Sequence, residues 1–299
     1  ATAVGRRAVV STLPTLSQQS ARPLPPVPPY VPLAPASDRP HADMSCRRLE
    51  GRVAIVTGAT AGIGLATAER LGSEGARVFI CSRKQQNVDD TVRALRGKGI
   101  SAAGVACNVG KPGDIQAFVD AAVKEYGRID IVVQNAAVNP AVGRIVDTAP
   151  DIIDKIMQVN VKSSILLVKA SLQHMQRGGS VVIVSSITAY NPPAPIGMYA
   201  VSKTALLGLT RGLAAELGGD GIRVNCVAPG IVPTKFAEYL VKDPQLAKAQ
   251  ADATYLGRLG RPDDMAAAIA YLASDDSSYV SAGVAAPPRC AEGGSAASE

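Results

Sequence analysis

The 299-residue chain contains no tryptophan and only three phenylalanines, so it has little aromatic surface on which nucleobases could stack. Histidine occurs only as His41 and His174. The five cysteines, Cys46, Cys81, Cys107, Cys226 and Cys290, are scattered with no C-x-x-C pair, and together these shortages argue against a dedicated zinc site. Unpatterned thiols of this kind read as reduced, which places the chain in an intracellular compartment. No run approaches the roughly 18–20 apolar residues that a membrane-spanning helix needs. The net charge of +6 is also not concentrated in a basic run. Six arginines face three acids in the first 50 residues, and the remaining 25 basic and 22 acidic residues are interspersed. Nucleic acid is therefore not an expected partner.

At 47% hydrophobic and 19% charged, the chain has the composition of a folded protein. Residues 1–48 stand apart. Nine prolines fall within the first 43 residues, including Pro23-Leu24-Pro25-Pro26-Val27-Pro28-Pro29, and no acid precedes Asp38. Proline fixes φ and removes backbone donors, so this segment is expected to be an extended, solvated extension. Its Arg, Ser and Thr content also suits a mitochondrial or plastid transit peptide, with a plain linker as the alternative.

From Arg52 onward, short β-branched runs alternate with helical stretches. Strands are expected at 53–56, 77–81, 103–107, 129–133, 180–184 and 222–227. Helices are expected near 63–71, 88–96, 114–126, 152–175 and 199–217. Strands alternating with helices imply right-handed crossovers, hence an α/β fold: one doubly wound Rossmann domain over 49–280, with a parallel sheet in the order 3-2-1-4-5-6.

The first strand runs into Thr57-Gly58-Ala59-Thr60-Ala61-Gly62-Ile63-Gly64 and then a helix. Glycines permit a tight turn and close approach of a pyrophosphate, and the helix N-terminus offers it free N–H groups. Glycine also serves ordinary turns, but here the strand–turn–helix context of a dinucleotide site is present. A site for NAD would carry an acid at the end of the second strand. This chain reads Cys81-Ser82-Arg83-Lys84, with no acid between Glu74 and Asp89. Arg83, helped by Ser82 and Lys84, suits a 2′-phosphate, so NADP(H) is the expected coenzyme; a solvated basic turn is the bland alternative.

Tyr199-Ala200-Val201-Ser202-Lys203 puts a phenol and an ammonium one turn apart on a helical face. Thirteen residues upstream of Tyr199, the apolar run Val181–Val184 ends in Ser185-Ser186, at the strand edge where ligands of such sheets sit. Singly these residues are a core tyrosine, a surface lysine and a strand-end serine; jointly they suggest a reaction centre.

These residues resemble the short-chain dehydrogenase/reductase family. The resemblance rests on the T-G-x-x-x-G-x-G loop, Asn135-Ala136-Ala137, Asn160, Ser186, Tyr199, Lys203 and Pro229-Gly230, in order from about Leu49 to Val280. More narrowly, Ser82-Arg83-Lys84-Gln85-Gln86-Asn87 and Asn135-Ala136-Ala137-Val138-Asn139-Pro140 are similar to the member 4 group of NADPH-dependent carbonyl and retinal reductases. The resemblance implies hydride transfer to a carbonyl. Tyr199 would be the general acid, Lys203 would lower its pKa and bind the nicotinamide ribose, Ser186 would orient the carbonyl, and Asn160 would hold a water linked to Lys203. It further implies coenzyme contacts from Asn108, Val109, Asn135 and Ala136, and from Pro229, Ile231, Val232 and Thr234 beside the nicotinamide. It implies a substrate lid over 235–255 containing Phe236, Tyr239 and Leu240, and a homo-oligomer, tetrameric in the family.

Two features depart from the family. Its usual last strand meets Pro287-Pro288 here, which argues against a regular seventh edge strand, so 281–299 is expected to be an atypical flexible tail. The peroxisomal tripeptide of the group is absent from Ala297-Ser298-Glu299, which leaves peroxisome, mitochondrion or plastid, and cytosol as open destinations. Two further functions remain open: reduction of 3-oxoacyl thioesters or the reverse hydroxyacyl dehydrogenation, and a non-catalytic NADP(H)-binding protein.

Overall fold

The structure is a computed structural model, and it describes residues 47–286 other than 235 and 238–240. The 1–46 part of the extension, Tyr239 and Leu240 of the expected lid, and the tail from Pro287 onward lie outside the described residues. The described chain runs β1 (Val53–Thr57), α1 (Gly62–Ser73), β2 (Arg77–Ser82), α2 (Gln85–Gly97), β3 (Ala102–Ala106), α3 (Pro112–Tyr126), β4 (Ile131–Gln134), α4 (Pro150–Met157), α5 (Ser163–Leu172), β5 (Ser180–Val184), α6 (Gly197–Leu217), β6 (Arg223–Val227), α7 (Pro244–Asp252), α8 (Pro262–Ala273) and β7 (Val284–Ala285). Proline opens α3, α4, α7 and α8, where its fixed φ suits the first turn and its missing N–H has no helical partner to lose.

All strand pairings are parallel, in the order β3-β2-β1-β4-β5-β6-β7. The central strands are buried on both faces, as crossover helices require. Alternate residues serve opposite layers. Val56, Ile80 and Val182 pack with Leu71 of α1 and Ile269 of α8. Ile55, Phe79 and Ile183 pack with Phe118 of α3, Leu167 of α5 and Leu206 of α6. At the amino end of the sheet, the buried carboxylate of Asp130 accepts from the Val53 N–H at 2.9 Å and pairs with Arg128, fixing β1 against β4.

Two expectations need correction. The single helix expected over 152–175 is instead a helical run over 150–172, interrupted by a π turn at Gln158–Lys162 that inserts one extra residue and turns Asn160 fully inward. The seventh strand, which the prolines argued against, exists as two residues, Val284 and Ala285, opposite Cys226 and Val227. The reason is that the edge is secured before the prolines begin. The Asn225 side chain donates to Val280 O at 2.7 Å and accepts from Gly283 N at 3.0 Å, while Ala228 N donates to Ala285 O at 2.8 Å.

Candidate active site

The carboxyl ends of β1, β2, β4, β5 and β6 open onto one cleft of about 620 Å³. On one side stands the glycine loop. Gly58 and Gly62 have φ of +65° and +56°, the left-handed region that glycine enters at little penalty. A Cβ at Gly64 would lie 2.3 Å from Gly58 O, so this third glycine brings α1 against the turn and does not line the cleft. Asn135, beyond β4, locks the same turn: its Nδ2 donates to Thr57 O at 3.0 Å and Gly58 O at 3.1 Å. The Thr57 hydroxyl in turn accepts from the Asn135 and Ala136 N–H groups, each at 3.1 Å.

Gly58, Thr60, Gly62, Ile63, Ser82, Arg83, Asn108, Val109, Asn135 and Ala136 all line this half. Asn108 is held by its own loop, with Oδ1 accepting from Gly110 N and its N–H donating to the Asp114 carboxylate, both at 3.0 Å. Arg83 is exposed and enters no salt bridge among the described residues. Lys84 does not line the cleft; it stands exposed at the N-cap of α2.

On the other side, Ser186, Tyr199, Lys203, Pro229, Ile231, Val232 and Thr234 line the cleft. Lys203 is 2% exposed, and its Nζ donates to Val184 O at 2.8 Å and lies 5.6 Å from the centre of the Tyr199 ring. Burial pushes this lysine down to about 8, because a low-dielectric surrounding disfavours the ammonium. Ser185 anchors the arrangement by donating to Lys203 O at 2.7 Å. Ser186 Oγ accepts from Thr188 N at 3.2 Å, which leaves its own proton available to a ligand. Phe236 covers the Tyr199 ring at 5.6 Å between centroids.

Asn160 does not line the cleft. Its Oδ1 accepts from Val138 N at 2.8 Å, and its Nδ2 donates to Val138 O at 3.0 Å and Ser202 Oγ at 2.9 Å. The side chain is thus engaged with backbone and with α6, while its Oδ1 keeps a second lone pair. Sequence reasoning also missed Lys155, Val159, Ile187, Thr188 and Ile196, all of which line the cleft. They sit in helices and loops without a motif, so nothing in the chain marks them.

The lining is chemically suited to a dinucleotide. It holds no carboxylate, and it brings in Arg83, Lys155 and Lys203 together with a positive-φ glycine cradle that a Cβ would fill. No group of three or more metal-ligating side chains occurs among the described residues.

A sheet of this order, with Ser186, Tyr199 and Lys203 at its carboxyl edge, defines a dehydrogenase class. A family profile described as Enoyl-(Acyl carrier protein) reductase matches residues 58–286. Tropinone reductase-like 3 of Erythroxylum coca is 53% identical over 234 residues, spanning 78% of this chain and 90% of that protein. Dehydrogenase/reductase SDR family member 4 of Homo sapiens is 48% identical over 234 residues, 78% of this chain and 84% of that one. A short-chain dehydrogenase from Burkholderia cenocepacia, crystallised in complex with NADP, superposes with a TM-score of 0.76 at 33% identity, covering 81% of this chain and 98% of its own. The chain belongs to the short-chain dehydrogenase/reductase family, and the resemblance to its member 4 group holds.

Proposed function

We propose that residues 49–280 form an NADPH-dependent reductase that converts ketones and aldehydes, retinal among them, into alcohols. The observation that carries this reading is Lys203, buried one turn from Tyr199 in the same cleft as the glycine loop and Arg83. NADP(H) is the coenzyme, supported by Arg83 in place of an acid and by neighbours crystallised with NADP or NADPH. When bound, the reduced nicotinamide supplies a hydride to the carbonyl carbon.

The chain's residues do the rest. The Gly58–Gly64 turn and the α1 N-terminus hold the pyrophosphate. Ser82 and Arg83 grip the 2′-phosphate, with Lys84 adding charge from the turn's outer face. Asn108, Val109, Asn135 and Ala136, which line the same half of the cleft, would also hold the coenzyme. Pro229, Ile231, Val232 and Thr234 position the carboxamide. Ser186 donates to the substrate oxygen as negative charge grows on it. Tyr199 delivers the proton to that oxygen. The Lys203 ammonium, 5.6 Å from the centre of the Tyr199 ring, stabilises the negative charge left on the phenol oxygen as its proton leaves. Asn160 acts as a positioning residue, tying Val138 to α6 through Ser202.

A second reading is reduction of a 3-oxoacyl thioester, or the reverse hydroxyacyl dehydrogenation, through the same residues; the profile's description shares with it only the acyl-carrier thioester. Exposed Ile165 on α5 and Val201 on α6 support a homo-oligomer, for which a tetramer is the family's form. The buried, unpaired thiols of Cys81, Cys107 and Cys226 support an intracellular setting.

The test follows NADPH and NADH oxidation by the full chain with a diketone, retinal and a 3-oxoacyl thioester. Faster turnover with NADPH and a free carbonyl is expected. A thioester preference would select the second reading, and NADPH binding without any turnover would leave a non-catalytic binding protein.

A further inference from the structure

Three cysteines, Cys81, Cys107 and Cys226, are buried free thiols. Cys226 behaves as a core residue: its Sγ donates to the adjacent Val227 O at 3.6 Å, and burial pushes its thiol up to about 11. The other two form a pair. Cys81 lies in β2 opposite Val105 of β3, and Cys107 follows two residues further along the same face, in the layer that holds Phe79 and Phe118. Their thiols hydrogen-bond each other.

The pair sits among the parts of the coenzyme half. The Gly58 N–H of the phosphate turn donates to the Cys81 thiol, and Ser82-Arg83 follow Cys81 directly. Cys107 lines the cleft together with Asn108 and Val109, which follow it. The hydrogen bond from Cys81 holds the Cys107 thiol below the ordinary cysteine range, against burial and the Asp114 carboxylate, which push it up. The same bond, with burial, pushes the Cys81 thiol well above that range. Cys107 thus has the character of an attacking thiol reached from the cleft, and Cys81 that of a resolving partner behind it.

We propose that Cys81 and Cys107 are a redox-sensitive dithiol, closed to a disulfide by hydrogen peroxide entering the coenzyme cleft, and that closure weakens NADP(H) binding. The Cys107 thiolate attacks one peroxide oxygen and breaks the O–O bond, leaving a sulfenic acid; the departing hydroxide takes up the thiol's proton as water. The Cys81 sulfur then attacks the sulfenic sulfur, forms the S–S bond and expels a second water. Two thiols and one peroxide thus give one disulfide and two waters. Drawing the sulfurs in to a bond of ~2.05 Å pulls the two strand ends together. β2 is held between β1 and β3, whereas β3 ends the strand order, so the displacement falls on Cys107 and on the cleft-lining Asn108 and Val109. This inference rests on the coenzyme assignment and not on the identity of the carbonyl substrate.

The test treats the full chain, reduced and freed of coenzyme, with hydrogen peroxide and maps its disulfides by mass spectrometry. A Cys81–Cys107 link should form, and saturating NADP⁺ should slow it about tenfold. The linked protein should bind NADPH about tenfold more weakly in calorimetric titration, and dithiothreitol should restore the affinity. Cys81→Ala, which cannot close the disulfide, should bind NADPH equally well before and after the same treatment. Absence of the link in the wild type would overturn the proposal without any variant. So would a link that leaves NADPH affinity unchanged, or one that forms equally fast beneath NADP⁺. An equal loss of affinity in peroxide-treated Cys81→Ala would overturn the disulfide as its cause. If the reduced protein binds no NADPH, the coenzyme assignment fails. The disulfide map then judges the dithiol alone: a Cys81–Cys107 link supports it and its absence overturns it.

Discussion

On the coenzyme side of the cleft, the turn after β1 is fastened by Thr57, Asn135 and the packing of Gly64, with its polar groups engaged by neighbouring backbone. On the substrate side, an aromatic contact from Phe236, a buried lysine and the buried side-chain oxygens of Asn139 and Thr188, which have no hydrogen-bond partner among the described residues, frame the space. The contrast is one of purpose. A pyrophosphate has one shape, and backbone geometry can be built for it in advance. A reaction centre must instead hold groups whose charge state changes, in surroundings that penalise that charge. It therefore carries the site's least favourable interactions.

The largest effect should come from the reaction centre itself. Tyr199→Phe is expected to lower kcat about a thousandfold while NADPH still binds, measured by steady-state rates and fluorescence titration; unchanged turnover would sink the assignment of the acid. On the opposite side, Gly64→Ala should lower stability by about 3 kcal/mol in denaturant unfolding, because the added carbon would meet Gly58 O at 2.3 Å. Arg83→Leu should weaken NADPH by about 30-fold and leave NADH nearly unchanged, a split that calorimetry reads directly.

Lys203 sharpens the comparison most. Its pKa drops from 10.5 to about 8 on burial, so the unfolded chain binds more protons between those values. Stability should therefore rise with pH across that window, with the full penalty of the buried charge present below pH 8. Lys203→Met, which abolishes that penalty and forfeits one hydrogen bond, should stabilise the chain at pH 7 by about 2 kcal/mol while eliminating turnover. A destabilised variant would show that the lysine's contacts outweigh its desolvation. The smallest effect is on rate: kcat/KM for reduction should decline as pH passes about 8 and the ammonium is lost.

Much of this was legible in the chain. The strand positions from β1 to β6 lie within two residues of those expected, because runs such as Val181–Val184 are too apolar and too β-branched to stand anywhere but inside a sheet. The glycine loop, Arg83 and the Tyr199–Lys203 spacing depend on contacts within a turn or two, and local contacts are what a sequence displays. The π turn at Gln158–Lys162 was not legible, since an extra residue in a helix leaves the apolar pattern nearly intact while turning Asn160 inward. The short β7 was hidden for a different reason. Its pairing depends on Asn225, roughly sixty residues away, and not on its own composition.

By itself, then, the sequence determined the layered parallel sheet, the phosphate turn and the pair of residues that face each other across one helical turn, since periodicity and short-range sterics suffice for these. Only the tertiary structure decided that the Asn160 carboxamide bonds Val138 and Ser202, that burial lowers Lys203 to about 8, and that Asn139 and Thr188 share the cleft with Ser186. Those outcomes depend on which distant segments close around a side chain and exclude water from it, and no local pattern records that.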